Sequence, residues 1–210
     1  MRGIVVGVFQ ANCYIVGSPR TSEAICIDPG DEPSEILALA RDMGVTIEKI
    51  VCTHAHLDHV MAVNELQAQT GAVFLLHGAD HAIAQGVPSA ALALLGRTVA
   101  PVPAPGRTLS DGDSVEIHGV DLRVIHTPGH TPGSISLYGH GMLFSGDTLF
   151  YQSIGRTDLP GGDTETILGS ISNRLFALPD ETVVLPGHMR QTTIGHERAN
   201  NPFTGGRDRT

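Results

Sequence analysis

The sequence has few cysteines, little positive charge and no long apolar run, and each shortage excludes a class of protein. Its three cysteines are odd in number and form no Cys-x-x-Cys pair, so neither a disulfide framework nor a cysteine zinc site is expected. Thirteen basic residues against 22 acidic ones give a net charge of −9, which disfavours a nucleic-acid partner. No apolar run approaches the ~18 residues of a membrane helix, and the N-terminal stretch lacks the pattern of a secretory signal. We therefore expect a cytoplasmic protein that contacts neither nucleic acid nor membrane.

The overall composition is that of a globular protein. Hydrophobic residues make up 41% of the 210 residues and charged residues 17%, a balance that excludes a disordered chain. Strand-rich stretches with interspersed helices occur in both halves, so we predict an α/β (α+β) fold in which two packed sheets carry helices outside. The proline-rich stretch 101–106 is interpreted as a surface crossing, which leaves a single domain over residues 1–210. The sequence leaves open whether the protein is a monomer or a homodimer.

Local patterns place the main helices and hairpins. Apolar spacing predicts one helix through residues 60–66, two helical stretches at 79–85 and 89–95, and a long amphipathic helix over 164–176. Turn residues predict hairpins around 118–119 and around 139–141. The segment that follows the last strand is predicted to be a short tail.

The eleven histidines are not scattered evenly along the chain. Four apolar strands each run directly into a side chain that can bind a metal, and these side chains are His54, His130, Asp147 and His188. Strand ends that face one rim are where layered α/β proteins place their sites, and the adjoining glycines and prolines force sharp turns there. We therefore expect these four side chains to converge.

The densest segment is His54 to His59. His54 and His56 alternate and can point the same way from an extended loop, while Asp58 and His59 follow where the next helix begins. Imidazoles suit zinc, iron or copper, and carboxylates suit harder ions or a bridge between metals. Together with the strand-end ligands this gives five histidines and two aspartates, too many for one tetrahedral ion. The sequence thus predicts two metals ~3.5–4 Å apart.

Four motifs resemble the metallo-β-lactamase superfamily and occur in that family's order. They are HxHxDH at 54–59, TPGHTPGS at 127–134, SGDTLF at 145–150 and LPGH at 185–188. Within the superfamily, IGRTD at 154–158 and the segment 193–198 are similar to short glyoxalase II-like (hydroxyacylglutathione hydrolase-like) enzymes. The resemblance spans nearly the whole chain.

The resemblance implies a four-layer αββα sandwich and a division of the ligands between two divalent metal ions. Its pattern assigns three residues to one metal, three to the other and one bridging carboxylate; these are His54, His56 and His130, then Asp58, His59 and His188, with Asp147 as the bridge. Zinc is the expected metal, with iron or manganese as alternatives. The other six histidines are expected to be surface or core residues: His77, His81, His118, His126, His140 and His196.

The function implied by the resemblance is hydrolysis of a small-molecule hydroxyacyl-thiol thioester. A hydroxide shared by the two metals would be the nucleophile, and Asp58 would orient it as a catalytic residue. Arg156 lies in a glycine-flanked loop, and it is interpreted either as a clamp for an acidic part of the substrate or as a solvated, salt-bridged side chain. Only a short segment follows His188, so we expect no C-terminal helical domain of the kind that binds glutathione in full-length glyoxalase II enzymes.

Two alternatives stay open. Persulfide dioxygenases have a similar HxHxDH motif and Gly-Arg-Thr-Asp loop but bind one iron, which here would take His54, His130 and Asp147. A relative that binds metal without catalysis is the other alternative. The ligand residues alone do not separate hydrolysis from redox chemistry.

Overall fold

The computed structural model describes residues 1–204 and contains two six-stranded sheets. The first sheet has the order β1-β2-β3-β4-β5-β6, and β3 to β6 run parallel to one another. Its strands are β1 (Arg2–Val6), β2 (Ala11–Gly17), β3 (Glu23–Ile27), β4 (Thr46–Val51), β5 (Val73–His77) and β6 (Arg107–Leu109).

The second sheet has the order β14-β13-β10-β9-β8-β7, in which only the β10–β13 pair is parallel. Its strands are β7 (Ser114–Ile117), β8 (Val120–His126), β9 (Ile135–Gly139), β10 (Met142–Gly146), β13 (Val183–Pro186) and β14 (Thr192–Thr193). A separate two-stranded hairpin, β11 (Leu149–Phe150) with β12 (Ser153–Ile154), follows β10. The hairpins predicted at 118–119 and 139–141 are confirmed as β7–β8 and β9–β10.

Helices cover the outer faces of both sheets. They are α1 (Pro33–Asp42), α2 (Leu57–Val60), α3 (Val63–Thr70), α4 (His81–Leu95), α5 (Thr164–Ser170), which continues into a π-helical stretch (Ile171–Leu175), and α6 (Ile194–Asn200). No helix among residues 1–204 is both long enough and apolar enough to cross a membrane.

Side-chain alternation along the strands explains the layers. In β2, Cys13 and Ile15 pack in a cluster with side chains of the outer helices, whereas Tyr14 and Val16 pack in a second cluster against the other sheet. Both faces of this strand are therefore buried, which is why its sequence is a nearly continuous apolar run. A third cluster joins the far face of the second sheet to α5, and the predicted four-layer αββα fold is confirmed.

Candidate metal centre

The seven predicted ligands meet at one rim of the sandwich. The four residues of the HxHxDH segment follow β4 of the first sheet, and the three others follow β8, β10 and β13 of the second. Their ligand atoms form three overlapping groups, and within each group the atoms lie within 4.8 Å of one another. The first group is His54, His56 and His130, and the second group is Asp58, His59 and His188. The remaining set, His54, His59 and Asp147, overlaps both groups.

In the first group, neighbouring atoms fix which imidazole nitrogen faces the centre. The Nδ1 of His130 lies 2.7 Å from the carbonyl oxygen of Arg156, which can only accept, so Nδ1 carries the proton. Thr53 Oγ1 donates its proton to Asp28 Oδ2, and it can therefore only accept from His54 Nδ1, 3.2 Å away. Both Nε2 atoms then carry lone pairs, yet they lie 3.2 Å apart. Two facing lone pairs repel unless a cation lies between them, and this geometry fits a metal ion.

Burial keeps the histidines of this group neutral. Desolvation, reinforced by the neighbouring imidazoles, lowers the pKa of His54 well below its usual value. The same causes, with His130 as the main neighbour, lower the pKa of His56 to about 3. Neutral imidazole is the form that binds a metal, so these side chains are ready ligands at pH 7.

The second group pairs histidine with carboxylate. His188 Nε2 lies 3.2 Å from Asp58 Oδ2, and His59 Nε2 lies 3.7 Å from the same oxygen. Asp147 stands between the two groups, because its Oδ1 lies 3.5 Å from His59 Nε2 and its Oδ2 lies 3.6 Å from His130 Nε2. This is the position that a bridging carboxylate needs.

Positive charge is strongly favoured at the second group. Burial disfavours the charged form of His59, but Asp147 and Asp58 outweigh burial and raise its pKa to about 10. Burial likewise opposes ionisation of Asp58, but His59 and His188 outweigh it and hold the pKa of that carboxyl well below its usual range. Within residues 1–204, His59 Nε2 and Asp147 Oδ1 are buried without a hydrogen-bond partner. Buried polar atoms without partners are rare, and a divalent cation would satisfy both.

Two buried aspartates that the sequence did not single out as ligands hold the metal-binding loops. Asp28 accepts from Thr53 N–H at 2.6 Å and lies 3.2 Å from His59 Nδ1, so it supports one histidine in each group. Asp80 is fully buried after β5 and was missed by the sequence analysis. Its carboxylate accepts from Ala55 N–H, between His54 and His56, and from the Thr131 hydroxyl and Gly133 N–H beyond His130. A lone aspartate after a strand carries no motif that could have revealed this role.

The loop after His188 is held by the first hairpin. The side-chain amide of Asn12 donates to the carbonyls of Pro186 and Met189, 2.9 Å from each, and so closes the turn that carries His188. Gly155 lies where a Cβ would come 1.8 Å from the carbonyl oxygen of Asp147. Only glycine fits at this position, because any side chain would displace Asp147.

A cavity of about 960 Å³ opens onto the centre. His56, Asp58, His130, Asp147 and His188 lie at its base, and apolar side chains form most of its wall. Arg156 also lines it, but its guanidinium donates to both carboxylate oxygens of Asp158 at 2.7 Å. Its backbone carbonyl is the group that orients His130.

The six remaining histidines fall outside the three ligand groups of the described residues. His77 stacks on His126 with ring centroids 4.4 Å apart, and His196 stacks on Tyr151 at 5.3 Å. These contacts agree with the expectation that they are surface or core residues.

The comparisons with known proteins agree with the fold and with the class of site. A family model described as the Metallo-beta-lactamase superfamily matches residues 6–188. The curated hydroxyacylglutathione hydrolase GloC of Haemophilus influenzae is 34% identical over 204 residues, which cover 95% of this chain and 95% of GloC.

Three solved structures are similar over almost the whole chain. One is described as the BLEG-1 B3 metallo-beta-lactamase (TM-score 0.91, 37% identity, 98% of this chain and 99% of that one). Another is TTHA1623 in a di-iron-bound form (TM-score 0.87, 40% identity, 97% and 100%). The third is ETHE1 from Myxococcus xanthus (TM-score 0.78, 29% identity, 96% and 82%).

Proposed function

The chain belongs to the metallo-beta-lactamase superfamily, whose members are mostly metal-dependent hydrolases, and on that basis we propose that it is a binuclear thioester hydrolase. The proposed substrate class is a small hydroxyacyl thioester. The proposed metals are two divalent ions, with zinc expected and iron or manganese as alternatives. The observation that carries the proposal is the pair of ligand groups joined by Asp147, because one ion needs only about four ligands. The similarity to GloC supports the thioester class.

The metals would supply Lewis acidity, which lowers the pKa of water towards neutrality and polarises the acyl carbonyl. His54, His56 and His130 would hold one ion, and Asp58, His59 and His188 the other. Asp58 also lines the cavity, and its carboxylate would orient the attacking water towards the acyl carbon. A thiolate leaving group has a conjugate acid of pKa ~8.5, so the reaction needs no strong general acid.

Arg156 is proposed to contact an acidic group of the thiol carrier at the edge of the cavity. Its guanidinium can read a carboxylate with two parallel hydrogen bonds, as its contact with Asp158 demonstrates. A substrate carboxylate would have to displace or share that contact.

A persulfide dioxygenase is the second candidate, and the HxHxDH segment at 54–59 and the Gly-Arg-Thr-Asp loop at 155–158, which resemble that class, favour it. It would use one iron held by His54, His130 and Asp147. His130 Nε2 lies 3.2 Å from His54 Nε2 and 3.6 Å from Asp147 Oδ2.

One experiment separates the two candidates. Purified protein is analysed for metal content, and the same preparation is assayed for hydroxyacyl-thioester hydrolysis and for persulfide-dependent oxygen uptake. We expect two metal equivalents and hydrolysis without oxygen uptake. Oxygen uptake with a single iron per chain would contradict the proposal.

A further inference from the structure

Helix α4 carries a second apolar stripe beside the one that is buried in the core; this stripe is half-buried at Ile83 and Ala90 and exposed at Leu94. Ala84, Val87 and Ala91 are buried against the first sheet. On an adjacent face, the side chains that line the cavity recur at helical spacing, and they are Ile83, Gly86, Ala90 and Leu94. A helix in contact with water on this face would carry polar residues there.

The mouth of the cavity is also apolar. Leu94 is 66% exposed, Met189 56% and Phe9 41%, and all three line the cavity. They come from α4, from the loop after His188 and from the turn between β1 and β2. Single exposed apolar side chains are ordinary, but three from separate segments around one opening point to a ligand.

Charge around the cavity does not favour a strongly anionic ligand. Of the described residues that line it, Arg156 is the one lysine or arginine, and Asp158 already pairs with it. The chain as a whole carries a net charge of −9. Arg156 can contact one substrate carboxylate if it leaves Asp158, but a carrier with a second carboxylate, such as a tripeptide thiol, would meet no further lysine or arginine among the described lining residues.

We propose that the α4 stripe and the apolar mouth form a binding site for an apolar group attached to the scissile thioester, on its acyl or its thiol side. This inference rests on the proposed thioesterase function and names its substrate class. The site continues directly into the ligand groups, since the same cavity contains His56 and Asp58. Hydrocarbon bound along the stripe would leave the carbonyl at the centre and would cover side chains that water now contacts.

The test uses the full-length, metal-loaded protein and two series of neutral thioesters. One series lengthens the acyl chain from acetyl to octanoyl on mercaptoethanol, and the other lengthens a straight-chain alkyl thiol that carries an acetyl group. We expect kcat/KM to rise roughly threefold per methylene in one of the series, which identifies the side that the site binds. Acetyl-glutathione is expected to be a poorer substrate than the best neutral thioester.

Two neighbouring leucines give a matched pair of variants. Leu94→Gln should lower kcat/KM for the longest substrate roughly tenfold relative to acetyl-mercaptoethanol, because it places a polar group in the wall. Leu92→Gln changes an equally exposed leucine of the same helix, 59% exposed, that lies outside the cavity, and it should keep the wild-type chain-length dependence. Gly86→Leu adds volume where a Cβ meets no atom within 4 Å, so it should shorten the chain length at which kcat/KM is highest.

A binding measurement keeps this inference separate from the proposed function. Calorimetric titration with S-octyl-mercaptoethanol, a thioether that cannot be hydrolysed, should give a Kd that Leu94→Gln raises and Leu92→Gln does not. Hydrolysis that is equally fast at every chain length would overturn the inference and leave the hydrolase assignment standing. If no thioester is cleaved, the hydrolase assignment fails, and the thioether titration still decides the inference. Sedimentation that shows a dimer, dissociated by Leu94→Gln, would assign the patch to a subunit interface and overturn the proposal.

Discussion

At the scale of single residues, the centre is distinguished by polar atoms that lack partners. A buried polar atom without a hydrogen bond costs about 1–3 kcal/mol, and His59 Nε2 and Asp147 Oδ1 both belong to this class within residues 1–204. The neighbouring Asp28 and Asp80, by contrast, each accept two or more hydrogen bonds. His59 Nε2 and Asp147 Oδ1 are therefore atoms that a metal would engage.

Asp147→Ala should lower both the metal content and the activity. The substitution removes a carboxylate that faces both ligand groups, so both ions would lose a negative ligand and their mutual repulsion would no longer be shielded. We expect a loss of at least one metal equivalent and a fall in kcat/KM of more than ~100-fold. Metal analysis and the thioester assay check this, with the exposed His118→Ala as control. A variant that keeps full metal content and activity would show that the bridge is assigned to the wrong residue.

Arg156→Ala should raise KM for a substrate with a carboxylate on its thiol part, by roughly tenfold, and change kcat less. The metal content should not change, because the contact that orients His130 comes from the backbone carbonyl of residue 156, which alanine keeps. Asp158→Ala is the matched variant, since it frees the guanidinium and should lower KM for the same substrate. If Arg156→Ala raises KM for a neutral thioester as much as for the anionic one, Arg156 shapes the loop and does not bind the substrate carboxylate.

At the scale of elements, the segments that follow the strands matter more than the strands, because they carry every ligand. Asp58 and His59 lie in α2, and the other five ligands lie in loops. Asp80 joins the loop after β4 to the loop after β8 through three accepted hydrogen bonds. One side chain thus sets the distance between two ligand-bearing segments.

Asp80→Asn should weaken metal binding while the fold is kept. The amide has one acceptor oxygen where the carboxylate has two, so an NH₂ group must face one of the present donors. We expect metal affinity to fall about 10- to 100-fold, as for other residues that hold metal ligands in place. Competition with a chelator measures it, and the exposed Asp121→Asn is the control. If Asp80→Asn changes neither the metal affinity nor the unfolding temperature, Asp80 does not hold the metal ligands in place.

Much of this element-level organisation could be predicted from sequence, and the exceptions have local causes. The strand ends and the HxHxDH segment were predictable because apolar runs and adjacent ligands are short-range signals. The predicted helix over 60–66 is two helices, α2 and α3, separated at Met61 and Ala62. The two stretches predicted at 79–85 and 89–95 are one helix, because core packing of Ala84, Val87 and Ala91 outweighs the breaking tendency of Gly86 and Pro88.

The prediction for the segment after the last predicted strand was also wrong. The segment predicted as a tail contains α6. Thr193 caps this helix locally, because its side chain accepts from His196 N–H, and a bond remote in sequence joins the helix to the β11–β12 turn. Glu197, fully buried, accepts from Gln152 N–H at 2.8 Å and from the Thr192 hydroxyl at 2.6 Å. The helix predicted over 164–176 loses its regular form from Ile171 onward, where the chain becomes π-helical. Asp80 was missed because its partners are remote in sequence.

The stability of the fold should depend on pH through one ion pair next to α4. Arg97, just beyond the helix, donates to both oxygens of Asp31 at 2.6 Å and 3.0 Å. Burial opposes ionisation of Asp31, but the hydrogen bond from Arg97 outweighs it and lowers the pKa of the carboxyl below its usual value. A lowered folded-state pKa contributes stability that is present above the unfolded value of ~3.9 and is lost as pH falls through the folded value.

Asp31→Asn should therefore lower the free energy of unfolding at pH 7 by about 1 kcal/mol, a modest amount because Arg97 is half exposed. The difference from wild type should shrink towards zero as the pH falls below ~4. Urea unfolding at a series of pH values measures it. A difference that persists unchanged at low pH would mean that the asparagine acts through packing and not through charge.

At the scale of the whole molecule, the centre joins the two sheets. Four ligands follow β4 of the first sheet and three follow strands of the second, so each proposed metal position draws on both sheets. Without metal, the facing Nε2 lone pairs of His54 and His130 repel one another at the centre. A bound cation replaces that repulsion with bonds that cross the sandwich.

Metal loading should accordingly stabilise the folded protein in two steps. A ligand present at 1,000 times its Kd adds about 4 kcal/mol to the free energy of unfolding, which for a protein of this size corresponds to a rise in Tm on the order of 10 °C. We expect the Tm of chelator-treated protein to rise with added zinc until two equivalents per chain are bound, and to fall again with chelator. Asp147→Ala should show a smaller rise, because it weakens both positions. Saturation of the Tm and of the bound metal at one equivalent would contradict the binuclear centre and favour the mononuclear iron chemistry of the dioxygenase alternative.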